Sequence, residues 1–350
     1  MTDRKVELLC VGNAMVDFFA GINREIPPSW GLSESAQHLP SGKLAEILAA
    51  LSAGPLPPLA SAGGGAANAA RIASLLGIRA AFAGAVGPSG DPHTAIFEEG
   101  LVQDGVVPRL IRDASPTGVC LILKTRKDAQ IIAASPGAAL RFAAEDVPED
   151  LMREARAVIL DGFLLGRDTV VHRVLDLANQ YGTQAALDVG SRALAAKRAR
   201  EIARYCRDYP LIVFMNEEEA DAFCQALSND VDGEGTPSGG SKRRLRVNVD
   251  QLKKMTDKDI FPVMVVKRGK RGAVVFAGGH IYSAPVIAVH PAEATGAGDA
   301  FCAGFMAGWI RDKPLVECAA LGNKTAREVL DSPGAGIDRK KLAHLAKSLS

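Results

Sequence analysis

Charge imbalance is missing from this chain: 41 Lys and Arg face 40 Asp and Glu, for a net charge of +1. Nothing in that balance favours nucleic acid or a membrane surface as a partner. Paired thiols are missing too. Cys10, Cys120, Cys206, Cys224, Cys302 and Cys318 form no C-x-x-C pair, and most sit among apolar residues. They read as reduced, buried thiols of a cytoplasmic protein. The six histidines form no H-x-x-x-H pattern, which argues against a zinc site. Aromatic residues are scarce, 5% of the 350. No G-x-x-x-x-G-K-[ST] occurs, so this is no P-loop enzyme. Residues 47–70 carry no charge, but Pro55, Pro57, Pro58 and Gly63 to Gly65 interrupt them, and their second half is small rather than greasy. That is not a membrane span. Asp3, Glu7 and Asp17 around a short apolar run do not make a signal peptide.

What is present suits a soluble globular protein with one large core, or one core and a small appendage: 47% hydrophobic and 23% charged residues. Residues 6–11 (VELLCV) read as a buried strand leading to Gly12 and Asn13, and 16–22 as a second short strand. Residues 41–51 have helical spacing, with Leu44, Ile47, Leu48 and Leu51 on one face. A proline-rich loop and a glycine run lead into a helix over 66–76. Residues 118–124 and 130–134 predict a hairpin about the polar turn 125–128. The apolar runs 157–160, 184–188 and 211–215 are separated by helical segments such as 170–180. Strand, helix, strand repeated in this way predicts an α/β fold with a mostly parallel sheet covered on both faces. Further strands are expected at 263–266, 273–276 and 286–289. Residues 228–248 turn from Gly, Ser, Asp and Pro to a basic cluster with no apolar period, as expected of a flexible insertion.

The stretch EATGAGDAF (293–301) surrounds one acid, Asp299, with small residues. It joins the expected strand 286–289 to an expected helix over 300–310. Gly296, Ala297, Gly298 and Asp299 therefore stand at a helix N-terminus, where free N–H groups and the dipole bind anions. A resting phosphate repels a carboxylate beside such a hole. The acid makes sense if it removes a proton from a hydroxyl that then attacks the phosphoryl group. The plainer alternative is a glycine turn with an acid favoured by the dipole. A dinucleotide fingerprint is disfavoured: the third glycine position is Phe301, and no second βαβ half follows.

A-T-G-A-G-D-A-F-C-A-G-F resembles the C-terminal signature of the ribokinase (PfkB) family of sugar and nucleoside kinases, and the similarity covers nearly the whole chain outside 228–248. The resemblance implies a single three-layer α/β/α domain over 1–350, with a small β-sheet lid from roughly 14–40 and 110–135. It implies ATP-dependent transfer with Mg²⁺, Asp299 as base, and Gly296, Ala297 and Gly298 as the anion hole. AGGGAANAA (62–70) resembles the acceptor signature, implying Gly63, Gly64 and Asn68 as hydroxyl ligands; GNAMVD (12–17) implies Asp17, with Asn13 nearby. NEEEA (216–220) implies that Asn216 and Glu219 organise Mg²⁺ and phosphate through water, although N-x-x-E is also a helix capping box. VKRGKRGAV (266–274) implies Gly269 and Gly272 beside the nucleotide with Lys267 near its phosphates, and Asn323 near the adenine. LDVGSR (187–192) offers Arg192 near the phosphates. Glu293 stands where the family usually has Asp, keeping the charge of a monovalent-cation (K⁺) site on a longer side chain.

GNAMVD, SPTGVCLIL (115–123), DGFLLG (161–166) and NEEEA look like the adenosine kinase-like branch. A purine acceptor wants aromatic stacking, and the lid segments offer no cluster beyond Phe18 and Phe19. The acceptor is left as a sugar or nucleoside, sugar slightly ahead, with adenosine specifically as an alternative. A non-catalytic sugar- or nucleotide-binding regulator on the same fold is the reading from another class. The family's exposed lid sheet implies a homodimer through the lid.

Overall fold

The computed structural model describes residues 6–22, 25–33, 36–125, 130–228, 249–257, 263–286, 296–330 and 337–347. The insertion beyond Ser228, most of the expected strand 286–289, Glu293 and most of the expected turn 125–128 lie outside the described residues.

The strands, in chain order, are β1 (Leu8–Val11), β2 (Met15–Ile22), β3 (Gln37–His38), β4 (Leu59–Gly63), β5 (Ala80–Val86), β6 (Val107–Arg112), β7 (Gly118–Thr125), β8 (Gln130–Ser135), β9 (Ala157–Asp161), β10 (Gln184–Asp188), β11 (Leu211–Asn216), β12 (Val263–Lys267), β13 (Ala273–Ala277) and β14 (His280–Ala284). The large sheet runs β14-β13-β12-β11-β10-β9-β1-β5-β6. Its strands from β6 across to β12 are parallel, and β13 and β14 add on antiparallel.

Why the strands read as continuous apolar runs is plain from β1. Leu8 and Cys10 enter one core, Leu9 and Val11 the other. Helices Gly65–Leu75, Ala297–Ile310 and Leu315–Leu330 pack on the first side. Helices Asp168–Tyr181, Ala199–Asp208 and Glu217–Ser228 pack on the second. A sheet buried on both faces leaves no place for polar alternation. The small residues of Ala297–Ile310 serve this packing. A Cβ on Gly304 would overlap Thr325 of the next helix.

The small sheet runs β3-β8-β7-β2-β4. Val119, Leu121, Leu123, Ile131 and Ala133 face Leu44, Ile47, Leu48 and Leu51 of the helix Ser41–Ser52. Strand side chains alternate, so the register pair Asp17 and Cys120 faces the other way.

Five strands are not visible in the sequence pattern: β3, β4, β5, β6 and β14. The run AAFAGAV of β5 is rich in alanine, a helix former. Its position between β1 and β6, buried throughout, overrides that propensity. The lid also differs in outline. β4 joins the small sheet, while β6, whose last three residues reach into the expected lid segment 110–135, pairs with β5 in the large one. No described helix is long and apolar enough to cross a membrane.

Candidate active site

Ligands of open α/β sheets bind at the carboxyl ends of the parallel strands. Here those ends carry polar side chains: Asp161 ends β9, Asp188 ends β10, Asn216 ends β11 and Lys267 ends β12. In register, Asp161 lies beside Asp188 and Asn216 beside Lys267.

Asp299 enters this crevice from above. Gly296 caps the helix Ala297–Ile310 in the left-handed region, at φ 79°. That turn presents the first N–H groups of the helix, and Asp299 lies in its first turn. Asn68 Nδ2 donates to Asp299 Oδ2 at 3.0 Å. A Cβ on Gly65 would come within 3.4 Å of the other carboxylate oxygen. Beside this helix N-terminus, Lys267 Nζ donates to Asp188 Oδ1 at 2.8 Å and lies 3.8 Å from the Cys302 sulfur. A Cβ on Gly298 would stand 3.3 Å from that ammonium.

Burial pushes Asp299 up to about 7, and Asp188 and Asp161 add to it, while the Asn68 bond and Lys267 pull the other way. Burial opposes the charge of Lys267, but Asp188 and Glu219 outweigh it and hold the ammonium protonated. Burial also keeps the Cys302 thiol well above its ordinary range.

The expected acceptor residues converge on the same place. The Asp17 carboxyl lies over Gly63, where any Cβ would overlap it, and accepts the Gly64 N–H. Gly64 has φ 92°, and a Cβ there would overlap the Asn13 carbonyl. This is why two glycines are needed in sequence: each lets the chain pass against a group of the 12–17 segment. Burial drives Asp17 up to about 7, moderated by Arg71 and the Gly64 N–H. Asn13 Oδ1 accepts from Arg167 Nη2 at 2.8 Å. Asp161 accepts from Phe163 N at 2.9 Å and from the Asn13 N–H, and burial raises it to about 6.

The expected nucleotide residues are differently placed. Asn216 and Glu219 form a reciprocal box: Glu219 Oε2 accepts Asn216 N, Oε1 accepts Asn216 Nδ2, and Asn216 Oδ1 accepts Glu219 N, each at 2.8 Å. Burial raises Glu219, against Lys267 and the Asn216 N–H. Gly272 turns the chain at φ 77°, where a Cβ would overlap the Ala284 carbonyl, and Gly269 sits at φ 53° beside open space. Arg268 and Arg271 pair with Glu217. Asn323, 7% exposed, donates from Nδ2 to Ala284 O at 2.9 Å. Arg192 is exposed at the start of its helix. Of this set, Lys267 contacts the Asp188 and Gly298 side of the crevice.

Reading the sequence missed Asp161, Asp188, Arg71, Arg167 and Cys302. For the two acids a signal existed. Each closes an otherwise apolar run, in LDVGSR and DGFLLG, and a carboxylate ending a buried parallel strand points into the crevice.

Residues 59–342 match the family described as pfkB family carbohydrate kinase. A nucleoside kinase of Methanothermobacter thermautotrophicus is 30% identical over 279 residues, 78% of this chain and 79% of that protein. An adenosine kinase of Dictyostelium discoideum is 23% identical over 350 residues, 95% of this chain and 96% of that protein. Among solved structures, the adenosine kinase from Sinorhizobium meliloti has a TM-score of 0.82 at 23% identity, covering 99% of this chain and 100% of that one. A probable sugar kinase from Rhizobium etli has a TM-score of 0.82 at 22% identity, covering 98% of each chain. At these identities the two structures speak for the fold, which is the ribokinase-like α/β architecture expected from the resemblance.

Proposed function

Because the chain belongs to the pfkB family of carbohydrate kinases, we propose that it transfers the γ-phosphoryl group of ATP to a hydroxyl of a sugar or nucleoside, most simply a hydroxymethyl. Asp17, Asn13, Asn68 and the backbone of Gly63 and Gly64 hold the acceptor's hydroxyls. Asp299 takes the proton of the attacking hydroxyl. A carboxylate near 7 is well matched to this work at neutral pH. Negative charge on the transferring group meets the N–H groups at Gly296, Ala297 and Gly298, with the Lys267 ammonium beside them. Gly269, Gly272 and Asn323 border the nucleotide. Closure of the small sheet over the crevice keeps water from competing with the acceptor.

Among the described residues no cluster of three or more side chains could hold a metal ion. We propose that Mg²⁺ arrives with the nucleotide and keeps its waters. Each Glu219 oxygen accepts one bond and retains a lone pair, so Glu219 and Asn216 would hold such an ion through water. Bound there, Mg²⁺ offsets phosphate charge. A K⁺ requirement would rest on Glu293 and is to be read from activity in K⁺ against choline.

The observation that carries the proposal is the 3.0 Å bond between Asn68 and Asp299, which joins the two signatures across 231 residues. The test is ADP release from Mg·ATP over a panel of sugars, sugar acids and nucleosides, adenosine included, with Asp299→Asn in parallel. One acceptor driving turnover that collapses in the variant is the expected result. Acceptor binding without turnover would favour the regulator instead. The helix Ser41–Ser52 packs on one face of the small sheet, so a homodimer through the lid would pair around it or along the sheet's edges, and sedimentation at micromolar concentration tests it against a monomer.

A further inference from the structure

One buried charge has no part in this chemistry. Arg71, 6% exposed, belongs to helix Gly65–Leu75. Its Nε donates to Asp104 Oδ2 at 2.7 Å, and its Nη1 donates to the carbonyl of Ala62. Asp104 is fully buried at its side chain, and its other oxygen accepts from Arg339 Nε at 2.6 Å. Arg339 begins the helix Arg339–Lys347 and is half exposed. A row of ion pairs therefore runs from that helix to Ala62, the residue before Gly63 and Gly64.

Packing alone does not call for this row. An apolar side chain of similar volume would fill the position of Arg71 without desolvating a cation. Two guanidinium groups share the one carboxylate of Asp104, so the row keeps a net positive charge. The anion facing its inner end is Asp17. Its carboxyl lies over Gly63, and Arg71 and the Gly64 N–H oppose the effect of burial on it. From β7 the titratable neighbour is Cys120, whose thiol burial keeps neutral. From β4 the register partner is Ser61, which does not titrate. Arg71 also bridges two bodies, since Ala62 belongs to the small sheet and Arg71 to a helix on the large one.

We propose that Arg71 is a positioning residue for the acceptor end of the site: it pins the junction of β4 and its helix through the Ala62 carbonyl, and it favours the ionised form of the Asp17 carboxyl, which accepts hydrogen bonds from acceptor hydroxyls. Asp104 and Arg339 hold Arg71 in place. The kinetic consequence rests on Asp17 being an acceptor ligand; the electrostatic consequence does not.

The experiment has two arms. In the first, protein labelled with ¹³C at the Asp carboxyls is titrated by NMR, and Asp17→Asn assigns the Asp17 signal. In Arg71→Met the Asp17 midpoint is expected to rise by about one pH unit. In Arg71→Lys, which keeps the charge, it is expected to stay near the wild-type value. An unmoved midpoint in folded Arg71→Met overturns the proposal. Should that variant not fold, Asp104→Asn decides on the same signal. Removing a negative charge from beside Arg71 is expected to lower the midpoint, and no change overturns the proposal. In the second arm, adenosine, cytidine, ribose and gluconate are the probe acceptors. Arg71→Met is expected to raise the acceptor KM about fivefold at pH 7, with the KM for ATP unchanged, because a one-unit rise from about 7 lowers the ionised fraction of Asp17 about fivefold. The deficit shrinks at higher pH, and Arg71→Lys restores part of it. A parallel fall in kcat with no pH dependence would mean a merely structural role and would overturn it. If no probe turns over with the unaltered protein, the kinase reading is at fault, and the NMR arm still decides the role of Arg71.

Discussion

The half of the crevice proposed for the acceptor and the half proposed for the nucleotide use their polar residues in opposite ways. On the acceptor side the glycines clear groups of the 12–17 segment: a Cβ at Gly63 would strike the Asp17 carboxyl and one at Gly64 the Asn13 carbonyl. On the nucleotide side the same residue types are engaged within the fold. Gly272 clears the Ala284 carbonyl, Asn323 bonds that carbonyl, and Asn216 and Glu219 cap a helix. One half is organised before any ligand arrives. The other is a scaffold whose side chains are already satisfied. Substitutions should therefore separate the halves, with rate and acceptor affinity lost on one side and stability on the other.

The largest separation is expected from Asp299→Asn. Loss of a positioned base lowers turnover by about 10²- to 10⁴-fold, with circular dichroism unchanged. Turnover within tenfold of the unaltered enzyme would remove Asp299 as the base and, with it, the contrast between the halves.

Paired glycine variants come next. Gly64→Ala places a side chain at φ 92° against backbone, and a loss of about 1–3 kcal/mol is expected together with acceptor saturation. Gly269→Ala at φ 53° meets open space, and the loss is about 1–2 kcal/mol with the acceptor KM unchanged. Urea melts and acceptor titrations of both proteins test the pair. Similar kinetic damage in the two would show that the halves do not differ.

A change of pH should move activity and stability in opposite directions. Asp299 must be ionised to act, so activity is expected to fall about tenfold per pH unit below about 7 and to level off above it. Asp17, Asp161 and Asp299 all have folded values raised above the ordinary carboxylate range. The stability they contribute is complete below about pH 4, where both states are protonated, and is lost as pH rises to about 7. Tm should fall from pH 6 to pH 8, and fall less in Asp299→Asn. A parallel fall in both proteins would mean that Asp299 is not the buried acid responsible.

The smallest effect is expected at Glu219. Glu219→Gln keeps an acceptor for the Asn216 N–H and removes the charge. Stability should change by about 1 kcal/mol or less, with a several-fold higher Mg²⁺ requirement. A Mg²⁺ dependence equal to that of the unaltered protein would leave Glu219 a cap only.

Much of the fold is legible where a period repeats. The apolar runs of β9, β10 and β11 and the stripe Leu44, Ile47, Leu48, Leu51 all form the elements they suggest. The pattern fails at AAFAGAV and LASAG, where alanine and serine fit any small space and the neighbours choose the conformation. The site divides in the same way. Asp299, Asn68, Gly63 and Gly64 lie in motifs whose meaning is local. Asp188 and Lys267 are 79 residues apart in sequence and meet because their strands end at the same edge of one sheet.

The sequence by itself determined the groups whose partners lie within one turn of chain: the glycine turn before Asp299 and the capping box of Asn216 and Glu219. Only the tertiary structure decided which acids share a crevice, which cation stands beside Gly298, and that a helix covers one face of the small sheet. Protonation belongs to this second class. It depends on burial and on charges carried by strands far apart in sequence, and these act on a carboxylate only after folding has brought them together.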